Sequence, residues 1–160
     1  MEFRKEDCIG FNSYNEYYIL SDMYPCDIRY DGKLFYGVDH VYYYMLLEGH
    51  PEAQEKIARC GGVCANFDAK EVGERYRKLL DANAPQHKVS KLKECIRMKF
   101  TQNSHCRKFL LDTGNTILVE YAFWGDRFWG CELEDDVYVG ENHTGRSIME
   151  IRDELRSDKA

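Results

Sequence analysis

Apolar residues in the first part of the chain favour extended structure. The segment 11–20 is rich in aromatic side chains and contains the β-branched Ile19. A second extended segment, 27–35, carries the pair Asp31-Gly32 between apolar residues, and such a pair is typical of a two-residue β-turn. The pattern therefore predicts extended structure at 11–20 and a β-hairpin at 27–35.

From residue 38 onward, the apolar residues recur mainly at helical spacing. They predict helices separated by glycine, proline and polar residues, at 38–48, 51–60, 68–80, 89–100, 106–112 and 147–155. Asp68, followed three residues later by Glu71, predicts a capping box at the start of the third helix. One further strand is predicted at 117–121.

The segment 124–145 is predicted to be a long loop that carries glycine, acidic and aromatic residues. Loops of this length in compact domains are usually functional or disordered, and the aromatic side chains argue against disorder. Together the elements predict an α+β fold, a mostly helical single domain with a small β-sheet or hairpins.

The composition agrees with one core-forming domain. The chain of 160 residues is 44% hydrophobic, which is enough to bury roughly two thirds of the surface of the unfolded chain. A net charge of -6 and a pI near 5.4 disfavour broad binding to nucleic acid or to an anionic membrane. The most apolar run, 41–47, is far shorter than the ~20 residues of a membrane-spanning helix.

Cysteine usage and the first ten residues indicate the compartment. The 7 cysteines are an odd number and form no repeated CxxC framework, which is typical of reduced thiols. The charged first ten residues lack the apolar core of a signal peptide. Cys60 and Cys64 are separated by two helix-breaking glycines and lack further ligands, so no metal site is expected. We therefore expect a cytoplasmic protein.

A series of short motifs follows the first ten residues in a characteristic order. The motifs are Leu20-Ser21-Asp22-Met23-Tyr24-Pro25, Asp31-Gly32-Lys33, Val38-Asp39-His40, Ala69-Lys70-Glu71-Val72-Gly73, Lys99-Phe100, Leu118-Val119-Glu120, Asp126-Arg127-Phe128-Trp129-Gly130, Gly140-Glu141-Asn142-His143-Thr144-Gly145 and Ile148-Met149-Glu150-Ile151-Arg152. In order and spacing they resemble the NADAR (YbiA-like) family. The resemblance covers about the whole chain after the first ten residues and implies one NADAR-like domain over 1–160.

The resemblance implies hydrolysis of a ribose N-glycosidic bond. The family's substrates are phosphoribosylamino pyrimidine intermediates of riboflavin synthesis or ADP-ribose attached to a guanine base, and we slightly favour the ADP-ribosyl substrate. The expected partner is a small nucleotide-like substrate or ADP-ribosylated nucleic acid, with no metal, organic cofactor, membrane or obligate protein partner. Cleavage through an oxocarbenium-like state needs a carboxylate near the anomeric carbon and an activated water.

Three carboxylates are candidates for catalysis. Asp39 stands where the family usually has the Glu of a Ser-Glu-His triplet, and it would stabilise the positive charge or activate water. Alternatively, Asp39 is a helix N-cap. Asp126 matches the Asp of the family's Asp-x-x-Trp-Gly block. Glu120 follows a strand-like run and either points into the same cleft or lies at a solvated strand end.

Several residues are candidates for binding the base or the ribose. His40 completes the triplet after Asp39. Trp129 and Gly130 complete the Asp-x-x-Trp-Gly block, in which an aromatic ring beside a carboxylate suits stacking on a base. The alternative for Trp129 is a place in the core, the commoner position of a tryptophan.

Other residues are candidates for binding phosphate. Asn142 and Gly145 match the family's Asn-x-x-Gly element, which either brings backbone N–H groups close to a phosphate or forms a plain turn. Lys70 and Lys99 are family-matched cations for a phosphate or diphosphate, or else solvated lysines.

Four positions depart from the family's pattern. Asp22 replaces an Asn, and Asp39 is one methylene shorter than Glu, a shift of about 1 Å that can cost roughly 100-fold in rate. Tyr43 and Leu46 replace a Gln and a Lys, and Tyr43 would serve as a hydroxyl donor, a stacking platform or a core residue. These departures motivate the alternative of a catalytically silent protein that binds an ADP-ribose-like nucleotide.

Overall fold

The computed structural model of the protein describes residues 1–158. Its strands are β1 (Glu2–Arg4), β2 (Cys8–Phe11), β3 (Ile28–Tyr30), β4 (Lys33–Phe35), β5 (Ile117–Glu120), β6 (Glu132–Glu134) and β7 (Val137–Val139). Its α-helices are α1 (Val38–Leu46), α2 (Pro51–Ala58), α3 (Ala65–Glu74), α4 (Arg77–Asp81), α5 (Pro85–Gln102), α6 (Ser104–Asp112) and α7 (His143–Ser157). This composition confirms the predicted α+β, mostly helical fold.

The chain divides into two compact units. The inserted unit is the continuous segment Asp22–Ser104. The terminal unit consists of Met1–Ser21 and the described chain from His105 onward. The assignment of 1–160 to a single domain stays a prediction.

The inserted unit begins with the hairpin predicted from the Asp31-Gly32 pair. Strands β3 and β4 are antiparallel, with Ile28 opposite Phe35. Asp31 and Gly32 both have positive φ, at 52° and 68°, as a two-residue turn of this kind requires. The prediction of the hairpin is confirmed.

Helix α1 lies at the centre of the inserted unit. Seven of its nine residues are buried, and α2, α3 and α5 pack around it. This burial follows from the dense apolar spacing of the helix, which leaves no wide polar face. The first turn of α1 is therefore held by packing on several sides.

The predicted capping box at Asp68 is wrong. Helix α3 begins at Ala65, directly after a 3-10 turn at Gly62–Cys64, so Asp68 lies inside its first turn. The predicted helix 68–80 is two helices, α3 and α4, because the backbone leaves the helical conformation at Tyr76.

The terminal unit contains a parallel strand pair and a three-stranded antiparallel sheet. Strands β2 and β5 are parallel, with Cys8 opposite Ile117, and helix α7 packs against β5. The other sheet has the order β1-β7-β6. It includes residues from the first ten positions, which lie outside the sequence resemblance.

Two predictions in the terminal unit are wrong. The segment 11–20 is extended only at its start, because the amide side chains of Asn12 and Asn15 accept hydrogen bonds from the N–H groups of Tyr14 and Tyr17 and form turns. The predicted loop 124–145 contains the hairpin of β6 and β7. Its turn consists of two aspartates with positive φ rather than glycines.

Two general features concern the whole described chain. No disulfide joins any of the seven cysteines, all of which lie in the described part. Among residues 1–158, none of the helices has both the length and the hydrophobicity that crossing a membrane requires.

Asn142 and Gly145 fix helix α7 to strand β5. The buried Asn142 side chain accepts a hydrogen bond from the N–H of Glu120 at 3.0 Å and donates one to the carbonyl of Leu118 at 2.9 Å. A Cβ atom at Gly145 would clash with the carbonyl oxygen of Leu118. The start of α7 therefore depends on an amide at 142 and on the absence of a side chain at 145.

Replacing Asn142 with Ala tests this attachment. The change leaves two backbone groups of β5 without a partner, and we expect it to lower the free energy of unfolding by about 2–4 kcal/mol. Urea denaturation measures the loss. Asn115→Ala, which removes an exposed hydrogen bond to Arg156, is the control and should cost at most about 0.5 kcal/mol. Equal small losses in both variants would contradict the role of Asn142.

Candidate functional site

The candidate residues fall into two groups, one in each unit. The inserted unit holds Asp22, Asp39, His40, Tyr43, Lys70 and Lys99. The terminal unit holds Glu120, Asp126, Trp129, Gly130, Asn142 and Gly145.

Asp39 lies in the first turn of α1 and is not the N-cap. The N-cap of α1 is Gly37, and the N–H of Asp39 donates to the backbone carbonyl of Asp22 at 3.3 Å. The Asp39 side chain is partly buried. Within residues 1–158, its carboxylate accepts no hydrogen bond. The helix-capping alternative for Asp39 therefore does not apply, and the carboxylate is available to a ligand.

The Asp39 carboxyl group titrates close to neutral pH. Burial raises its pKa from 3.8 to about 6, while the positive charges of Lys70 and Lys99 oppose that rise. A carboxyl group with such a pKa is mostly ionised at pH 7 and is still basic enough to accept a proton from water. This is the protonation behaviour that the hydrolysis of an N-glycosidic bond requires of a general base.

The two lysines near Asp39 have different surroundings. Lys99 is only 1% exposed, and its ammonium group lies 5.4 Å from the centre of the Tyr24 ring and 5.1 Å from that of Phe100. These distances are typical of cation–π contacts. Lys70 on α3 is exposed. Lys99 thus supplies a fixed positive charge, and Lys70 supplies one that can follow a ligand.

Asp22 and Tyr43 also face the surroundings of Asp39. Asp22 is buried, and its charge, like that of Asp39, raises the pKa of the Tyr43 hydroxyl, although burial is the larger cause. Tyr43 therefore remains a protonated hydroxyl donor at neutral pH. Its ring packs so closely on α3 that a Cβ atom at Gly73 would lie 2.6 Å from its Cδ1 atom.

His40 has a structural role. It is fully buried, its Nδ1 accepts a hydrogen bond from the N–H of Tyr36 at 3.1 Å, and its Nε2 lies 2.8 Å from the carbonyl of Ile57. These partners define a neutral ring with the proton on Nε2, and burial lowers the pKa of the ring. Because both nitrogens are engaged, His40 positions the start of α1 instead of contacting substrate.

Asn66 completes the support of α1. Its Oδ1 accepts a hydrogen bond from the N–H of His40 at 3.0 Å, and its Nδ2 donates to the carbonyls of Tyr36 and Met23. The side chain occupies the space beside Gly37, so a Cβ atom at Gly37 would clash with it. Sequence reasoning missed Asn66, because nothing in its local pattern separates it from a solvated helix residue.

In the terminal unit, Asp126 shapes its own loop. Its Oδ1 accepts hydrogen bonds from the N–H groups of Phe128 at 3.0 Å and Trp129 at 2.9 Å. The other oxygen, Oδ2, accepts no hydrogen bond within residues 1–158. Trp129 is partly buried, with its ring edge-to-face against Phe128. Glu120 is partly buried at the end of β5.

The backbone at the start of α7 is already hydrogen-bonded. The N–H groups of residues 141–144 donate to the carbonyls of residues 127–130, and Asn142, for example, pairs with Gly130. Gly130 itself packs against the carbonyl of Glu120, where a Cβ atom would clash. The expectation that Asn142 and Gly145 present N–H groups to a phosphate is therefore replaced by a packing role for both.

No candidate metal centre is present among residues 1–158, in which no group of three or more His, Cys, Asp or Glu side chains could hold an ion. The chemistry of the candidate residues in the inserted unit is that of a carboxylate of raised pKa beside two cations and a hydroxyl donor. Such a set can bind an anionic sugar derivative and activate water.

Comparisons with known proteins show relatives along most of the chain. It is 30% identical to a riboflavin biosynthesis protein of Vibrio vulnificus over 86% of the chain and 35% of that protein. It is 33% identical to an N-glycosidase of Acanthamoeba polyphaga mimivirus over 62% of the chain and 61% of that protein. An N-glycosidase of Nostoc punctiforme is 26% identical over 92% of the chain and 91% of its own length. The chain thus spans about a third of the first relative and about three fifths of the second.

A solved structure and a family match agree with these relatives. The NMR structure of the Escherichia coli protein YbiA superposes with a TM-score of 0.75 at 26% sequence identity, covering 96% of this chain and 88% of that one. The NADAR domain matches residues 3–156. The chain belongs to the NADAR domain family.

Proposed function

We propose that the protein is an N-glycosidase, a hydrolase that cleaves the bond between ribose and a base nitrogen in an ADP-ribosyl or phosphoribosyl substrate. Membership in the NADAR family and the names of two relatives support this class of reaction. The name of a third relative supports a role in riboflavin biosynthesis as the second candidate. We favour ADP-ribosyl-guanine, in a nucleotide or in nucleic acid.

The observation that carries the proposal is the state of Asp39. Its carboxylate is partly buried, accepts no hydrogen bond within the described residues, and has a pKa of about 6. In the reaction, the ionised carboxylate stabilises the positive charge that develops on the ribose as the C–N bond breaks. The bond's electron pair leaves with the base nitrogen, which then takes up a proton. Water adds to the anomeric carbon and gives its proton to Asp39.

The cations of the inserted unit suit the anionic part of the substrate. Lys70 and Lys99 are the proposed contacts of a phosphate or diphosphate, and Tyr43 is a proposed hydroxyl donor to the ribose. Lys and Arg nearly balance Asp and Glu in the inserted unit, so the net charge of -6 comes essentially from the terminal unit. An anionic ligand therefore meets less repulsion at the inserted unit than the whole-chain charge suggests.

The other candidate residues enter the proposal in narrower roles. Asp126 and Glu120 are proposed as further carboxylates, Asp126 through its Oδ2 atom, and Trp129 as a base contact. Asp22 is proposed to act with Asp39, because their charges act on the same tyrosine.

The substitution Asp39→Asn tests the catalytic role. We expect it to reduce the hydrolysis rate by at least about 100-fold, because the neutral amide neither stabilises the ribosyl cation nor accepts a proton. Chromatographic product analysis with ADP-ribosylated guanine DNA, free ADP-ribosyl nucleotides and phosphoribosylamino pyrimidine measures the rate and names the substrate.

The control for this substitution is Asp68→Asn, in which a partly buried aspartate of α3 is changed in the same way and activity should persist. Wild-type levels of release by Asp39→Asn would refute the catalytic role. If the wild-type protein binds ADP-ribose but releases no product from any of the three substrates, the catalytically silent alternative holds.

The pH dependence of the rate gives a second prediction. Because the ionised form of Asp39 is active, kcat/KM should rise as the pH increases through about 6 and then level off. Lys99→Met removes a charge that lowers the pKa of Asp39, so the midpoint should move to higher pH.

Arg97→Met, a substitution of a partly buried cation on the same helix, serves as the control for Lys99→Met and should leave the midpoint in place. A midpoint that moves to lower pH in Lys99→Met, or stays unchanged, would contradict the electrostatic account. The stability of Asp39→Asn gives an independent check, because the raised pKa means that the ionised carboxyl weakens the folded state above about pH 6. The variant should therefore be at least as stable as the wild type there.

A further inference from the structure

Three aromatic side chains of the terminal unit are unusually exposed. Tyr14 is 78% exposed, Phe123 56% and Trp124 53%. They follow the carboxyl ends of the parallel strands β2 and β5, whose last residues, Phe11 and Glu120, are paired. Ligands commonly bind beyond the carboxyl ends of parallel strands. The three rings thus occupy a position where such sheets bind ligands.

The three rings form one cluster, which we call the aromatic surface. The ring centres of Tyr14 and Phe123 are 5.6 Å apart, and those of Phe123 and Trp124 are 5.2 Å apart. Phe123 also contacts Tyr121, whose ring lies 5.7 Å from that of the buried Tyr138. The contacts are tilted or edge-to-face, the geometry that aromatic pairs prefer. The aromatic surface is therefore continuous with the core of the terminal unit.

The loops that carry the aromatic surface are held together by Asn12. This side chain is 5% exposed, accepts a hydrogen bond from the N–H of Tyr14 at 2.9 Å, and donates one to the carbonyl of Tyr121 at 3.2 Å. One buried amide thus links the loop after β2 to the loop after β5. Exposed aromatic rings on such a supported scaffold are typical of a binding site, because isolated solvent exposure gives the fold nothing in return.

The charge next to the aromatic surface limits what it can bind. Asp126 follows Trp124 by two residues, and its Oδ2 atom accepts no hydrogen bond within residues 1–158. The terminal unit carries an excess of acidic residues, which disfavours a phosphodiester chain. Carboxylates instead accept hydrogen bonds from the amino and imino groups of a base. A single amino-bearing base satisfies both the rings and the carboxylate.

We propose that Tyr14, Phe123 and Trp124 form a stacking surface for a single nucleobase of the guanine type, with Asp126 Oδ2 as an acceptor for its N–H groups. This inference rests on the proposed function, in which that base is the leaving group. It adds a binding site for the base on the terminal unit, separate from the roles of Asp39 and the lysines.

Binding of guanosine 5′-monophosphate to three variants, measured by isothermal titration calorimetry, tests the stacking surface. Trp124→Leu keeps an apolar side chain but removes the aromatic face, and it should raise Kd by about tenfold or more. Trp124→Phe keeps a ring and should stay within about threefold of the wild type. Phe67→Leu makes the same kind of change at a 60% exposed residue of the inserted unit and should have no effect. Ribose 5-phosphate, which has no base, should bind all variants equally.

The opposite results would overturn the stacking surface. They are an unchanged affinity of Trp124→Leu for guanosine 5′-monophosphate, or no binding by the wild type. If sedimentation shows instead that Trp124→Leu abolishes self-association while nucleotide affinity is unchanged, the surface binds a second copy of this chain. Because these measurements need no turnover, a wild-type protein that releases a base but fails the binding test leaves the N-glycosidase proposal standing.

Discussion

Burial of the Asp39 carboxyl group without a hydrogen bond is the constraint on which the proposed chemistry depends. Burial alone would keep the group protonated, and the nearby lysines alone would keep it fully ionised. Their opposition leaves a pKa of about 6, so the group is ionised when substrate binds and can still take a proton from water. A solvated aspartate in the same helix would not combine these properties.

The inserted unit supports this carboxylate with residues that do not themselves react. His40 and Asn66 use their side chains to bind backbone groups around the start of α1, and Gly37 leaves room for the Asn66 amide. Gly73 lets the Tyr43 ring approach α3. The family motifs therefore include residues that support the fold as well as residues that face a ligand, and only the structure separates the two roles.

The sequence predicts structure well where the signal is local. The Asp31-Gly32 pair predicts its hairpin, and the apolar spacing after residue 38 predicts α1. The hairpin of β6 and β7 escapes prediction because its strands have three residues each and its turn has no glycine. The start of α3 was misplaced because Asp68 resembles a cap, although the helix already begins at Ala65.

The candidate site is predictable to a lesser degree. Its residue types follow from the resemblance to the family, but their environments come from distant parts of the chain. The raised pKa of Asp39 depends on how deeply α1 is packed and on lysines from two other helices, and no local pattern encodes this. In the same way, Asn142 resembles part of a phosphate-binding turn, whereas its amide binds strand β5 through long-range contacts.

The most direct test of the account is a titration of the Asp39 carboxyl carbon by NMR in the ligand-free protein. Comparison with Asp39→Asn assigns the resonance. The account predicts a midpoint near pH 6, which moves upward in Lys99→Met. A midpoint near the ordinary aspartate value of 3.8, unchanged by the loss of Lys99, would contradict it.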